Sequence, residues 1–226
     1  ILNYDNEDVM NGTKDIKSRK IYFSSKNKAD LYINNDAIYY GEEEIIKLKD
    51  IKLKGMHNYE NIMATLLVIK EFGIDKKIVK EFFKTFKGVE HRIEFVCEKN
   101  GVKYYNDSKA TNPTSTVVAL NAFDEDTYLI LGGMQRNQDF HELDGAIKNV
   151  KKIFAIGETT DEVYDYAQSM NILCEKCYTL NVAMEKIKND NISSGVVLLS
   201  PASASWDQYD KFETRGDEFA GLAKSL

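Results

Sequence analysis

Beyond Gly88 the sequence alternates short β-forming runs with helical ones, and this alternation restricts the possible folds more than any other feature. The runs at 92–98, 102–105, 128–131, 152–156, 172–174 and 196–199 read as strands. Helical patterns occupy the gaps, at 113–122, 142–150, 160–169, 182–189 and 210–225. A chain ordered in this way is expected to form an α/β domain whose mostly parallel sheet is covered on both faces. In such an open sheet, ligands bind beyond the carboxyl ends of the strands.

Before Gly88 the pattern is less complete. The opening I-L-N-Y-D-N-E-D reads as the end of a buried strand running into a polar loop. β-forming residues cluster at 20–24 and 30–40, with a hairpin turning at Asn34–Asp36. A helix is expected over 57–72, because Ile62, Leu66, Ile69 and Phe72 follow helical spacing and Gly73 suits a stop. A second is expected over 75–86, with Asp75 as N-cap and Ile78, Val79, Phe82, Phe83 and Phe86 on its buried face. The chain therefore reads as an incomplete α/β unit up to about Gly88, followed by a complete α/β domain.

Composition narrows the class. Of 226 residues, 43% are hydrophobic, enough for a substantial core. The net charge of −6 argues against a nucleic-acid binder that works by neutralising phosphates, although a local group of cations could still hold a small anion. No apolar run approaches the ~20 residues that span a bilayer, and no charged-then-apolar leader opens the chain, so a cytoplasmic protein is expected. Cys97, Cys174 and Cys177 suit ordinary reduced cysteines; the lone C-x-x-C at 174–177 has no second pair to complete a metal knuckle.

The chemistry-bearing residues fall in three loops that follow strands. N-D-S-K-A-T-N comes after the 102–105 run, G-G-M-Q-R-N-Q-D after 128–131, and S-P-A-S-A-S-W-D-Q after 196–199. Together they bring Asp107, Lys109, Thr111, Arg136, Ser203 and Ser205 to one sheet edge. Asn112 followed by Pro113 is an N-cap and a first-turn proline, so a helix N-terminus faces the same place and favours an anion. Each loop read singly is as compatible with a turn as with a ligand; their coincidence favours the ligand. Gly132–Gly133 is weak evidence alone, Trp206 suits a packed surface or interface aromatic, His91–Arg92 suits a salt-bridging strand edge, and His57 suits a helix cap or structural partner.

Assembled, these segments resemble the Mur ligases, in particular the branch that adds D-glutamate. G-M-H-N-Y-E-N-I-M-A-T at 55–65, V-E-H-R-I-E at 89–94, N-D-S-K-A-T-N-P-T-S-T at 106–116, L-G-G-M-Q-R-N-Q-D-F at 131–140 and L-L-S-P-A-S-A-S-W-D-Q-Y-D-K-F-E-T-R-G at 198–216 carry the likeness, in order, over nearly the whole chain. The signatures of the sister ligases that add diamino acids or dipeptides are absent. So is any Gly-Lys-Ser/Thr phosphate loop. The resemblance thus implies that 1–88 is the C-terminal part of a central ATP-binding domain and 89–226 a C-terminal Rossmann-like amino-acid-binding domain. The phosphate loop, the UDP-binding domain and most metal ligands would lie upstream.

The activity so implied is ATP-dependent amide ligation: D-glutamate is joined to UDP-N-acetylmuramoyl-L-alanine in peptidoglycan synthesis, through an acyl phosphate, with ATP and Mg2+. No metal ligand is assigned to this chain. Asn58, Asn61, Arg92 and Asp107 would serve the nucleotide, and Lys109 would approach the transferring phosphate as the catalytic cation. Thr111, Arg136, Ser205 and the backbone around Phe212 would hold D-glutamate. Where some members carry Lys in the Gly-Gly loop this chain has Arg136, which can clamp a carboxylate with two donors. A monomer is expected, with the two parts moving about residues 87–91 and this piece inactive by itself. Two rivals stay open: a folylpolyglutamate synthase-like ligase, against which S-P-A-S-A-S-W-D-Q-Y counts, and a non-catalytic nucleotide- or amino-acid-binding module.

Overall fold

The structure, a computed structural model, describes residues 1–53, 55–86 and 88–226. Lys87, at one end of the expected hinge, lies outside the described residues. The chain divides into two compact units, Ile1–Gly88 and Val89–Leu226.

The first unit carries a sheet of β1 (Leu2–Asn3), β2 (Tyr22–Ser24), β3 (Leu31–Asn34), β4 (Ala37–Tyr40) and β5 (Glu43–Lys47), in that spatial order. The pairs β1–β2 and β2–β3 are parallel, while β3–β4 and β4–β5 are antiparallel. The hairpin turns where expected, with Asn35 at φ 49°, a conformation that asparagine tolerates better than most residues. A short helix α1 (Glu7–Gly12), capped by Asn6, and strand β5 are additions that the sequence pattern did not suggest.

Helix α2 (Met56–Glu71) buries Ile62, Met63, Leu66 and Leu67 against Phe23, Leu31, Ile38, Ile46 and Ile51. It ends before Gly73, whose φ of +66° suits a residue without Cβ. Helix α3 (Lys76–Thr85) starts from Asp75, whose side chain accepts the Lys77 N–H at 2.7 Å. Its buried face is narrower than expected: Val79 and Phe83 are buried, but Ile78 is 65% and Phe82 51% exposed. Residues 79 and 83 share one helical row; 78 and 82 form the next row, about 100° around the axis and off the core. Phe82 stacks instead on Phe86, at 4.9 Å between ring centroids.

The second unit is built on β6 (Glu94–Lys99), β7 (Val102–Asn106), β8 (Thr127–Gly132), β9 (Val150–Ile156), β10 (Leu173–Tyr178) and β11 (Gly195–Leu199), in spatial order β10-β9-β8-β11-β7-β6. All pairs are parallel except β6–β7. The period of two sends Leu129, Leu131, Val196 and Leu198 to one apolar layer, with Ala119 of α4 (Pro113–Leu120) and Val163 of α5 (Thr160–Ser169). Ile130, Phe154, Val197 and Leu199 enter the opposite layer with Ala183 and Ile187 of α6 (Leu180–Asn189) and Phe219 of α7 (Phe212–Ser225). Burial on both faces is why these strands read as unbroken apolar runs. Each Val, Leu, Ile or Phe side chain so removed from water contributes about 1.5–3 kcal/mol.

One expected helix is corrected. Residues 142–150 are not α-helical: two single 3-10 turns, Phe140–Leu143 and Ile147–Asn149, lead into Val150, which already pairs with Thr127 at the start of β9. The Asp139 side chain closes the first turn by accepting the His141 N–H at 2.9 Å, and Asp144–Gly145 interrupts continuation. Cys174 packs with the α5 layer and Cys177 with the α6 layer, and all three cysteines are free. Burial pushes the Cys174 thiol up to about 12 and that of Cys177 to about 11.

Candidate functional site

Because β11 lies between β7 and β8, the carboxyl ends of these three strands adjoin, and the three polar loops meet there. Asn106, the last residue of β7, is fully buried; its Oδ1 accepts the Ser108 N–H at 3.1 Å, and its Nδ2 donates to the Gly216 carbonyl at 3.2 Å and meets His91 Nδ1 at 3.0 Å. Asp107 is only 4% exposed. Its Oδ1 accepts the Ile93 N–H at 3.1 Å and its Oδ2 accepts the Ser200 hydroxyl at 2.7 Å. Burial raises the Asp107 carboxyl to about 6, against the hydrogen bonds from Ser200 and Ile93 and the charge of Arg92. Its carboxylate is thus engaged inside the domain, where it braces a turn in which His91 (φ 62°) and Ile93 (φ 47°) both take left-handed conformations. For a β-branched residue that conformation is strained, and the Asp107 bond helps hold it. This turn delays the start of β6 to Glu94 and carries the exposed Arg92.

Arg215, on α7, is the largest fully buried side chain among the described residues, at 1% exposure. Its Nε–H donates to the Ser108 hydroxyl at 3.0 Å, and its Nη groups donate to the Ser108 carbonyl at 2.9 Å and the Ser203 carbonyl at 3.2 Å. Burial lowers the guanidinium to about 10, with the Asp207 charge opposing, so it stays protonated at neutral pH. Arg215 therefore ties the loop after β7 to the loop after β11. The loop after β8 approaches so closely that a Cβ on Gly133 would collide with the Ala204 carbonyl oxygen and stand 3.2 Å from an Arg215 Nη. Sequence reasoning assigned no role to Arg215, Ser200 or Asn106; the available signal was the Arg-Gly that ends the last motif.

Around this braced floor, Thr111, Asn112, Pro113, Arg136, Gln138 and Ala204 line a cavity of about 390 Å3. Asn112 caps α4 by accepting the Ser115 N–H at 2.9 Å, so the helix opens at the cavity wall. Gln138 spans two loops: its Nε2 donates to the Ser203 hydroxyl at 2.7 Å and the Met134 carbonyl at 3.1 Å, while its Oε1 accepts the Arg136 N–H at 2.8 Å. The Arg136 side chain is exposed, its guanidinium carbon 5.5 Å from the centre of the Trp206 ring. Among the described residues, no carboxylate forms an ion pair with it.

Thr111 and Arg136 are thus brought together on one cavity wall. Ser205 is buried with no partner for its hydroxyl among the described residues, and Phe212 places its ring 5.0 Å from Lys109 Nζ while its carbonyl accepts the Ser108 hydroxyl at 2.8 Å. Lys109 is exposed, and its N–H donates to the His91 carbonyl at 3.0 Å. Asn58 and Asn61 belong to α2 in the first unit; Asn58 is half-buried and Asn61 exposed. Among the described residues no group of three or more His, Cys, Asp or Glu is placed to hold a metal.

Residues 91–203 match the family model for the Mur ligase, glutamate ligase domain. The chain is 42% identical over 212 residues to a UDP-N-acetylmuramoylalanine--D-glutamate ligase of Macrococcus caseolyticus, covering 93% of this chain and 48% of that protein. It is 39% identical over 229 residues to the protein of the same name from Bacillus mycoides, covering 100% of this chain and 51% of that one. The chain therefore spans about half the length of the curated relatives it matches. Among solved structures, MurF of Acinetobacter baumannii aligns over 97% of this chain and 51% of its own, with a TM-score of 0.70 at 15% identity. Folylpolyglutamate synthase of Thermotoga maritima aligns over 87% of this chain and 48% of its own, with a TM-score of 0.57 at 21% identity, a likeness of fold alone. The chain belongs to the Mur ligase family.

Proposed function

We propose that this chain is the C-terminal half of an ATP-dependent ligase of peptidoglycan synthesis that joins D-glutamate to UDP-N-acetylmuramoyl-L-alanine. The single observation that carries the reading is the cavity at the carboxyl ends of β7, β8 and β11, where Arg136, with no carboxylate partner among the described residues, presents a cation beside Thr111 and the N-terminus of α4. Such a wall fits an amino acid bearing two carboxylates. The relatives named for D-glutamate ligation support the choice of amino acid.

Within this reading, Arg136 and Thr111 take the side-chain carboxylate, while the unpartnered Ser205 hydroxyl and the backbone near Phe212 serve the α-carboxylate. Holding the amine at attack distance is the chief contribution of this unit, since fixed geometry replaces a bimolecular encounter. ATP supplies the phosphoryl group that activates the partner carboxylate. Lys109, exposed beside Phe212, serves as the cation for that phosphate. Arg92 serves the nucleotide, and Asp107 acts by bracing the turn that carries it. For Asn58 and Asn61 the nucleotide role rests on the likeness of the surrounding G-M-H-N-Y-E-N sequence. Magnesium is assigned to no residue of this chain.

The same reading makes 1–88 the end of the ATP-binding domain and 89–226 the amino-acid-binding domain of a cytoplasmic, monomeric enzyme. No helix among the described residues is long and apolar enough to cross a membrane. This half by itself is expected to be inactive. The test is ligation by the full-length enzyme with UDP-N-acetylmuramoyl-L-alanine and ATP, offering D-glutamate, L-glutamate or D-aspartate. Product with D-glutamate alone supports the reading. Glutamylation of a folate substrate instead would move the chain to the synthase branch.

A further inference from the structure

We infer that Trp206 is a positioning residue, which holds the Arg136 guanidinium ready for the carboxylate of the incoming amino acid. The inference rests on the assignment of Arg136 to that carboxylate. Trp206 follows the buried Ser205 but is itself 62% exposed, so the core does not fix its ring. What the ring does touch is a cation: the Arg136 guanidinium carbon lies 5.5 Å from its centre.

An exposed arginine samples many rotamers, and ordering such a side chain on binding costs affinity. An aromatic face reduces that cost, because its negative quadrupole attracts the cation. The same contact leaves the donors of the guanidinium edge free, since stacking uses the face and a carboxylate takes two N–H groups in the plane. The backbones of both partners are already fixed relative to each other: Gln138 accepts the Arg136 N–H and donates to the Ser203 hydroxyl on the loop that continues into Trp206. With backbones laced and no carboxylate partner among the described residues, the indole is the side-chain contact that sets where Arg136 points.

The test is steady-state kinetics of the full-length enzyme, with D-glutamate varied at saturating ATP and nucleotide substrate, for Trp206→Ala, Trp206→Leu, Trp206→Phe, Arg136→Ala and the Trp206→Ala/Arg136→Ala double variant. Trp206→Ala and Trp206→Leu should each raise KM for D-glutamate about two- to fivefold, leaving kcat and KM for ATP unchanged. Trp206→Phe, which keeps an aromatic face, should restore most of the loss. In the Arg136→Ala background, Trp206→Ala should add nothing. If Arg136→Ala raises KM for D-glutamate while Trp206→Ala does not, or if the two effects multiply, the positioning role is overturned and the pocket assignment stands. An Arg136→Ala enzyme with unchanged KM for D-glutamate overturns the pocket assignment and the role of Trp206 with it.

Discussion

Arg215 reaches Ser108 twice, through its Nε–H to the hydroxyl at 3.0 Å and an Nη–H to the carbonyl at 2.9 Å. With the further bonds to the Ser203 carbonyl, one buried cation closes two of the three loops that frame the cavity. Arg215→Met should therefore leave buried carbonyl oxygens unpaired and destabilise the protein by on the order of 2–5 kcal/mol in urea denaturation. Arg215→Lys should recover little, since an ammonium cannot span both carbonyls. A loss under about 1 kcal/mol for Arg215→Met would remove this residue as the brace.

Asp107 gives a pH signature. Its folded pKa is raised to about 6 from 3.8, so between those values the folded state binds more protons than the unfolded state. Stability from this group is greatest below about pH 4 and is lost as pH rises through about 6, by roughly 3 kcal/mol at most. Asp107→Asn removes the titration. The unfolding free energy of Asp107→Asn relative to the wild type should then rise between pH 4 and pH 7, and parallel pH profiles would contradict the burial-raised carboxyl.

The central strands β8, β9 and β11 were legible in the sequence because burial on both faces writes each of them as an apolar run. Helix 142–150 was misread because Leu143, Ala146, Ile147 and Val150 are spaced three, four and seven apart, as on a helix, although they serve two turns and a strand. The cavity residues Thr111 and Arg136 could be anticipated, since both follow strands that end at one sheet edge. Arg215 and the interior of Asp107 could not. An arginine on a helix reads as a solvated charge until Ser108, 107 residues away, closes over it, and the Asp107 environment depends on Ser200, 93 residues away.

Gly133 should not tolerate a side chain. A Cβ there meets the Ala204 carbonyl, a backbone atom that cannot rotate away. Gly133→Ala should cost about 1–3 kcal/mol of stability, read by urea denaturation. Wild-type stability for this variant would contradict the close approach of the two loops.

The cysteines should behave as core thiols. Cys174 and Cys177 belong to opposite layers of the sheet, and burial raises both thiols well above neutral. Mild oxidant should produce no Cys174–Cys177 disulfide, and Cys177 should react with a thiol reagent only after unfolding. A peptide mass two units lower across 174–177 after oxidation of the native protein would contradict this.

The central claim is that the cavity at the ends of β7, β8 and β11 holds D-glutamate through Arg136. The most direct measurement is the specificity constant for D-glutamate of the full-length Arg136→Ala enzyme, at saturating ATP and UDP-N-acetylmuramoyl-L-alanine. Loss of the carboxylate clamp should lower kcat/KM for D-glutamate by at least about thirtyfold while KM for ATP stays near wild type, with Arg136→Lys intermediate. An unchanged specificity constant for D-glutamate in Arg136→Ala would contradict the account.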